Sequence, residues 1–255
     1  MVFAIDIGNT NIVIGCFQDD KIIFVERIST NQTGTVLEFA VSFKSVLEIY
    51  GLKSSDIEGS ILSSVVPSIT GVVKQAIEKI TKKSCMVVGP GIKTGLRIAI
   101  DNPAQLGSDM AIGAVAALDQ MKGPLVLIDM GTATTVSVIN DKNEFIGGMI
   151  MPGVAISMEA LNNKTAQLPK IAFEPPKKKI GSNTIDCMKS GMIYGFAGSI
   201  DGLLDHIEEE LNMPVTTIAT GGLSEVIVPY CRHKDIIIDD TLLLKGMRIV
   251  YLKNK

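Results

Sequence analysis

Apolar and polar positions fall in short blocks along the chain. Residues 2–5 (VFAI) are apolar and lead into Asp6, and Gly8, Asn9, Thr10 and Asn11 follow as a polar break. Residues 12–17 are apolar again, and residues 21–28 (KIIFVERI) form a third run. Three such runs divided by a Gly-containing polar turn predict a β-meander. The period then changes. Val36, Phe39, Ala40, Phe43, Val46, Leu47 and Tyr50 recur every three or four positions, which predicts a helix over 36–50. A strand at 60–65, a helix after Pro67 and a strand at 85–88 complete the first half. Pro103 is well suited to a helix start, and Leu106, Met110, Gly113, Ala114 and Ala117 then share one side, with Asp109 near it.

The second half opens the same way. Residues 125–128 (LVLI) are apolar and lead into Asp129, followed by Gly131, Thr132, Ala133 and Thr134, a second apolar run at 136–139, a turn at 140–143 and a strand at 145–150. An apolar strand, an aspartate and a polar Gly/Thr/Asn turn thus occur twice, 123 residues apart, as expected of an internal duplication. Residues 184–211 predict the longest helix, broken by Gly191, Gly195, Gly198 and Gly202, which suit close packing against another helix. A strand at 215–219, the turn Thr220, Gly221, Gly222 and a helix near 240–252 end the chain. Two related α/β domains, residues 1–118 and 119–255, are the economical arrangement, with the last helix free to pack back across the boundary.

Composition narrows the function. Of 255 residues, 46% are apolar and 20% charged, which is the make-up of a folded globular chain. The net charge of −3, with no basic patch interleaved with aromatics, argues against a nucleic-acid partner. No run of about 18 apolar residues suits a membrane span, and residues 1–11 lack the basic leader of a signal peptide. Four scattered cysteines without a CxxC read as reduced thiols in a cytoplasmic protein. Only two histidines, His206 and His233, exclude a multi-histidine zinc site.

The turns carry the candidate chemistry. A Walker A loop would need Gly-Lys-Ser/Thr, which is absent, and GPGIKTG (89–95) reads as a tight loop. In DIGNTN (6–11), a carboxylate ends a buried strand and needs a cationic partner. A hydrated Mg²⁺ carried by phosphates is such a partner. Gly8 lets backbone approach a phosphate, and Asn9, Thr10 and Asn11 supply donors. The turn after Asp129 has the same parts. Each turn alone reads as an ordinary turn; as a pair in a duplicated frame they point to phosphate binding from two sides. Gly221 and Gly222 leave room for a flat group such as adenine, although Gly-Gly is commonly just a turn.

The paired turns DIGNTN and DMGTATT with a later TGG are similar to the phosphate and adenosine motifs of the actin and hexokinase superfamily. The wording resembles the type III pantothenate kinases through SSVVPS (63–68), VGPGIKTGL (88–96), DNPAQLGSD (101–109), GGMIMPGV (147–154), TAQLP (165–169), IGSNT (180–184), TGGL (220–223) and LLLKGM (242–247). The resemblance implies two duplicated actin-like (ribonuclease H-like) domains, with mixed sheets flanked by helices and an interdomain nucleotide cleft. It implies ATP-dependent phosphorylation of the primary hydroxyl of pantothenate, the first step of coenzyme A biosynthesis. Asp6, Gly8, Asn9, Thr10, Asn11 and Val13 would then hold the Mg²⁺·ATP phosphates with Gly131 and Thr132, and Gly221 and Gly222 the adenosine. Asp129 would bind a monovalent cation (K⁺ or NH₄⁺). Ile100, Gly107, Ser108, Asp109 and Met110 would line the pantothenate pocket, with Asp109 as general base. Thr184 would reach pantothenate across a homodimer interface.

Three positions depart from the family. Met110 stands where an Arg is usual, Ile100 where a Tyr is usual, and Gly113 where an Asn is frequent. The first change removes a permanent positive charge and the second a ring and hydroxyl. Lys93 and Arg97 lie close enough in sequence to be candidates for replacing that charge. A paralogue that keeps the nucleotide turns but takes another acceptor, or none, is the second reading.

Overall fold

The computed structural model describes all residues, Met1–Lys255. The chain opens with the predicted meander, β1 (Val2–Ile7), β2 (Asn11–Gln18) and β3 (Lys21–Ser29). Next come α1 (Val36–Ile49), β4 (Gly59–Ser64), α2 (Pro67–Thr81) and β5 (Cys85–Val87). A two-residue strand, β6 (Arg97–Ile98), precedes α3 (Ser108–Gln120). The second meander is β7 (Leu125–Met130), β8 (Ala133–Ile139) and β9 (Glu144–Pro152). It leads to α4 (Val154–Lys164), α5 (Thr184–Leu211), β10 (Thr216–Thr220), α6 (Ser224–Ile227), β11 (Ile237–Ile238) and α7 (Leu242–Asn254).

Two compact units result. The first holds Met1–Leu96, Asp101–Ala116 and Thr241–Lys255, so α7 belongs with the N-terminal strands; the second holds Arg97–Ile100 and Ala117–Asp240. The sheet of the first unit runs β3-β2-β1-β4-β5. Its meander is antiparallel, whereas β4 joins β1, and β5 joins β4, in parallel. The sheet of the second unit runs β9-β8-β7-β10-β11 in the same sense, with β6 added outside β9. The duplication read from the strand–Asp–turn pattern is therefore a duplication of topology. It extends to register: Asp6 lies opposite Val13 and Ser63, and Asp129 opposite Thr135 and Thr220.

Alternation along β1 sorts the core of the first unit. Phe3, Ile5 and Ile7 pack with Phe39, Phe43 and Leu47 of α1 and with Val73 and Ile77 of α2. Ala4 points to the other face, into a cluster with Ile61, Ile112 and Val115 of α3, and Leu244, Met247 and Tyr251 of α7. Asp6, two residues on, shares that second face. Helix α1 begins at a capping box: Glu38 N donates to Thr35 Oγ1 and Glu38 Oε2 accepts from Thr35 N at 2.7 Å. Helix α2 begins with Pro67 at its first turn, where a missing N–H costs nothing. In the second unit, α5 buries Ile193, Ala197, Ile200, Leu204 and Ile207 against Val126 and Ile128 of β7 and Val136 of β8.

Three readings change. Residues 103–105 form one 3-10 turn capped by Asn102, Leu106 is extended, and the helix bearing Asp109 begins only at Ser108. Helix α4 was not foreseen: it buries only Val154, so it has little apolar face to read. No part of this chain packs against Gly191, Gly195, Gly198 or Gly202, since a Cβ on any of them would meet nothing within 4 Å.

Candidate active site

In the first unit the candidate residues gather where β1 and β4 end. The turn after β1 is closed by Gly8 N donating to Asn11 O at 3.0 Å. It is clamped from the end of β3: Thr30 Oγ1 donates to Gly8 O at 2.7 Å and Thr30 N to Thr10 O at 2.9 Å. Asn9, Thr10 and Asn11 are exposed on this fixed backbone, while Asp6 and Val13 are half-buried beside it. The segment after β4 is tied to the same place, with Val65 N donating to Ile7 O at 3.1 Å. Ser64 Oγ accepts from Val66 N at 3.0 Å and from Thr70 Oγ1 at 2.8 Å, which holds SSVVPS in a rigid bend.

The start of α3 docks on that bend. Ser108 Oγ lies 3.2 Å from Ser63 Oγ and donates to Ser64 O at 3.3 Å. Asp109 occupies the first turn of α3, half-buried, among the backbone amides a helix start leaves without intrahelical partners. Its Oδ1 accepts from Met110 N at 2.9 Å. Gly107 makes this geometry possible, since a Cβ there would lie 2.5 Å from Asp109 Oδ1. Met110 is half-buried and Gly113 buried. Asp6, the turn at 8–11, and Gly107, Ser108, Asp109 and Met110 thus belong to one unit and one end of its sheet.

The second unit builds the matching assembly. Asp129 and Thr220 are register neighbours at the ends of β7 and β10. Gly221 has φ 92°, a backbone that side chains rarely adopt, and a Cβ on it would lie 2.6 Å from Asp129 Oδ1. Ser224, fully buried, holds this turn: its Oγ and N both donate to Gly221 O, at 2.8 and 3.0 Å, and its Oγ is 3.5 Å from Asp240 Oδ1. Gly153 N, at the start of α4, donates to Thr132 O at 3.1 Å and closes the turn bearing Gly131 and Thr132. The turn bearing Gly131 and Thr132 and the Gly221–Gly222 turn are therefore brought together.

The remaining candidates are carried by other elements. Ile100 follows β6 on the edge of the second sheet, where Ala99 N donates to Phe145 O at 2.7 Å. Thr184, exposed at the first turn of α5, lines a groove of about 620 Å³ with Leu161, Leu168, Cys187, Met188 and Met192. Arg97 pairs with Glu144 at 3.8 Å, and the backbone of Lys93 is held by the Asn254 side chain at 3.0 and 2.9 Å. Thr30 and Ser224 were absent from the sequence reading, and Ser63 entered it only within SSVVPS, with no role. They act through turns 22, 45 and 3 residues away, and no local pattern marks such partners.

No three His, Cys, Asp or Glu side chains are grouped to hold a metal ion. Single aspartates such as Asp6 and Asp129 suit a cation that keeps its waters or is shared with phosphates, not one caged by protein. No helix is long and apolar enough to cross a membrane.

Comparison with known proteins gives a consistent picture. The family model described as type III pantothenate kinase matches residues 2–206. A type III pantothenate kinase of Halalkalibacterium halodurans is 40% identical over 254 residues, covering 100% of both chains. One from Bacillus cytotoxicus is 41% identical over 254 residues, covering 100% of this chain and 97% of its own. Among solved structures, the activator of 2-hydroxyisocaproyl-CoA dehydratase from Clostridium difficile, with bound ADPNP, aligns with a TM-score of 0.59 at 13% identity, over 99% of this chain and 93% of that one. That likeness speaks for the fold alone, an actin-like α/β architecture with two mixed, helix-flanked sheets. By its full-length match and its 40% identity, the chain belongs to the type III pantothenate kinase family.

Proposed function

We propose that this protein transfers the γ-phosphoryl group of ATP to the primary hydroxyl of pantothenate, giving 4′-phosphopantothenate and ADP in the first step of coenzyme A biosynthesis. The observation that carries the reading is the placement of Asp109. Its carboxylate stands at the start of α3, docked on the sheet end that also carries Asp6 and the turn at 8–11. Phosphoryl transfer asks mainly for positioning and charge neutralisation, plus an acceptor for the hydroxyl proton. Asp109 takes that proton. The rigid turn with Asn9, Thr10 and Asn11 and the turn with Gly131 and Thr132 hold the phosphates, and Gly221 and Gly222 border the adenosine. Asp6 would support a Mg²⁺ ion carried by the phosphates, which would supply charge neutralisation there, and Asp129 would hold a monovalent cation.

Gly107, Ser108, Asp109, Met110 and Ile100 form the acceptor pocket, and Thr184 completes it from a second copy of the chain. Support for a homodimer comes from α5, whose four glycines have open space over them, and from Ile180 and Ile185 exposed beside Thr184. Four unpaired cysteines suit a cytoplasmic enzyme. The test is product identity. Mass spectrometry of a reaction with ATP, Mg²⁺, K⁺ and pantothenate should show 4′-phosphopantothenate, and its absence while ATP is bound would overturn the assignment.

A further inference from the structure

We propose that Ser63 and Ser108 form a hydroxyl bridge that positions Asp109 against the phosphate turn, making both serines positioning residues for the phosphoryl acceptor step. The inference rests on the reading of Asp109 as the proton acceptor and deepens it.

Ser63 is fully buried near the end of β4. A buried hydroxyl is costly without a partner, and the partner here is the Ser108 hydroxyl, 3.2 Å away. Ser108 in turn donates to the carbonyl of Ser64 at 3.3 Å. The two ends of the bridge matter. Ser63 is the register neighbour of Asp6 across β1 and β4, and both lie on the sheet face of Ala4 and Ile61, which α3 and α7 cover. Ser108 is the residue immediately before Asp109.

The N-cap position adds no side-chain anchor of its own. Gly107 O accepts from Ala111 N at 3.0 Å, so Gly107 occupies the N-cap position, where a Ser, Thr, Asp or Asn side chain would ordinarily anchor the turn. Gly107 has none, and Asp109 Oδ1 needs the space a Cβ would fill. The Ser108 hydroxyl therefore ties the first turn of α3 to the sheet, and with it the separation of Asp109 from the Asp6 turn.

The experiment measures ADP release and pantothenate dependence in Ser63→Ala, Ser108→Ala, the double variant and Ser108→Thr, with Asp109→Asn alongside. Loss of the bridge moves the proton acceptor without touching the nucleotide turn. Each single alanine variant should lower kcat by about tenfold with the KM for ATP unchanged. The double variant should be no slower than the slower single one, because both remove the same bridge, and Ser108→Thr should keep most of the rate. Losses that multiply in the double variant, wild-type kcat in the single ones, or a rise in the KM for ATP would overturn the proposal. If Ser63→Ala fails to fold, Ser108→Ala against Ser108→Thr makes the same test. An active Asp109→Asn overturns the reading of Asp109 together with the bridge. An inactive Asp109→Asn beside unaffected serine variants overturns the bridge alone.

Discussion

Gly221 lies against Asp129 so closely that a Cβ on it would come within 2.6 Å of the carboxylate Oδ1. The same glycine has φ 92° and is held by Ser224. The Gly221–Gly222 turn and the turn after Asp129 are therefore one mechanical piece. Gly221→Ala should cost about 1–2 kcal/mol from the left-handed backbone alone and should also displace Asp129. Calorimetric titration with nucleotide in the presence of K⁺ should show weaker binding and a weaker dependence on K⁺. Unchanged affinity and cation dependence would uncouple the two turns.

Met110 follows Asp109 within the first turn of α3, and its backbone amide already engages the Asp109 carboxylate at 2.9 Å. Replacing it with arginine would place a guanidinium beside Asp109, where we propose the acceptor binds. A hydrogen bond to a charged group is worth roughly 1.5–3 kcal/mol, so Met110→Arg should lower the KM for pantothenate by about tenfold or more. Steady-state kinetics at fixed ATP check this. An unchanged KM would mean that position 110 does not face the acceptor.

The cysteines make an independent check of packing. Cys16, Cys85 and Cys231 are buried, and burial pushes each thiol up to about 11, whereas Cys187 is exposed in the groove beside Thr184. Only the thiolate reacts readily. A thiol titration at neutral pH should therefore count one reactive cysteine in the folded protein and four in guanidinium. Prompt reaction of a second thiol would contradict the packing of its unit.

Beyond α6, Arg232 and His233 bond back to α5. Buried Asp201 accepts from both of their backbone amides, at 2.8, 2.9 and 3.2 Å, and Asp205 accepts from Arg232 Nη2 at 2.9 Å and lies 3.0 Å from His233 Nε2. The hydrogen bond from His233, and then that from Arg232, holds the Asp205 carboxyl below its ordinary value. A carboxyl depressed on folding stabilises the protein above its unfolded pKa of about 3.9, and that contribution disappears as pH falls through the lower folded value. Asp205→Asn should thus melt below the wild type at neutral pH, with the two curves merging in acid. A gap that persists in acid would show that the effect is not electrostatic.

The two meanders and both aspartate turns were legible because a buried apolar run ending in Asp6 or Asp129 before a glycine is a strong local pattern, whereas the two-residue strands β6 and β11 are too short to leave one. The shared topology of the two sheets followed from the same repetition. Helix α4 was not legible, since burying Val154 alone leaves no stripe to read. Pro103 drew the start of α3 five residues too early: Leu106 is extended, and the helix waits for Gly107. At the site, the motif residues were visible and their supports were not. Thr30 clamping Gly8, Ser63 meeting Ser108 and Asn254 holding Lys93 join positions brought together only by the sheet and by α7.

The most direct measurement is ATP turnover with Mg²⁺ and K⁺, with and without pantothenate, in the wild type and in Asp109→Asn. Removing a general base typically costs 10²–10⁴-fold. Pantothenate-dependent ADP release in the wild type that falls by about that factor in Asp109→Asn, with nucleotide affinity retained, is the predicted result. ADP release indifferent to pantothenate, or an Asp109→Asn variant as fast as the wild type, would contradict it.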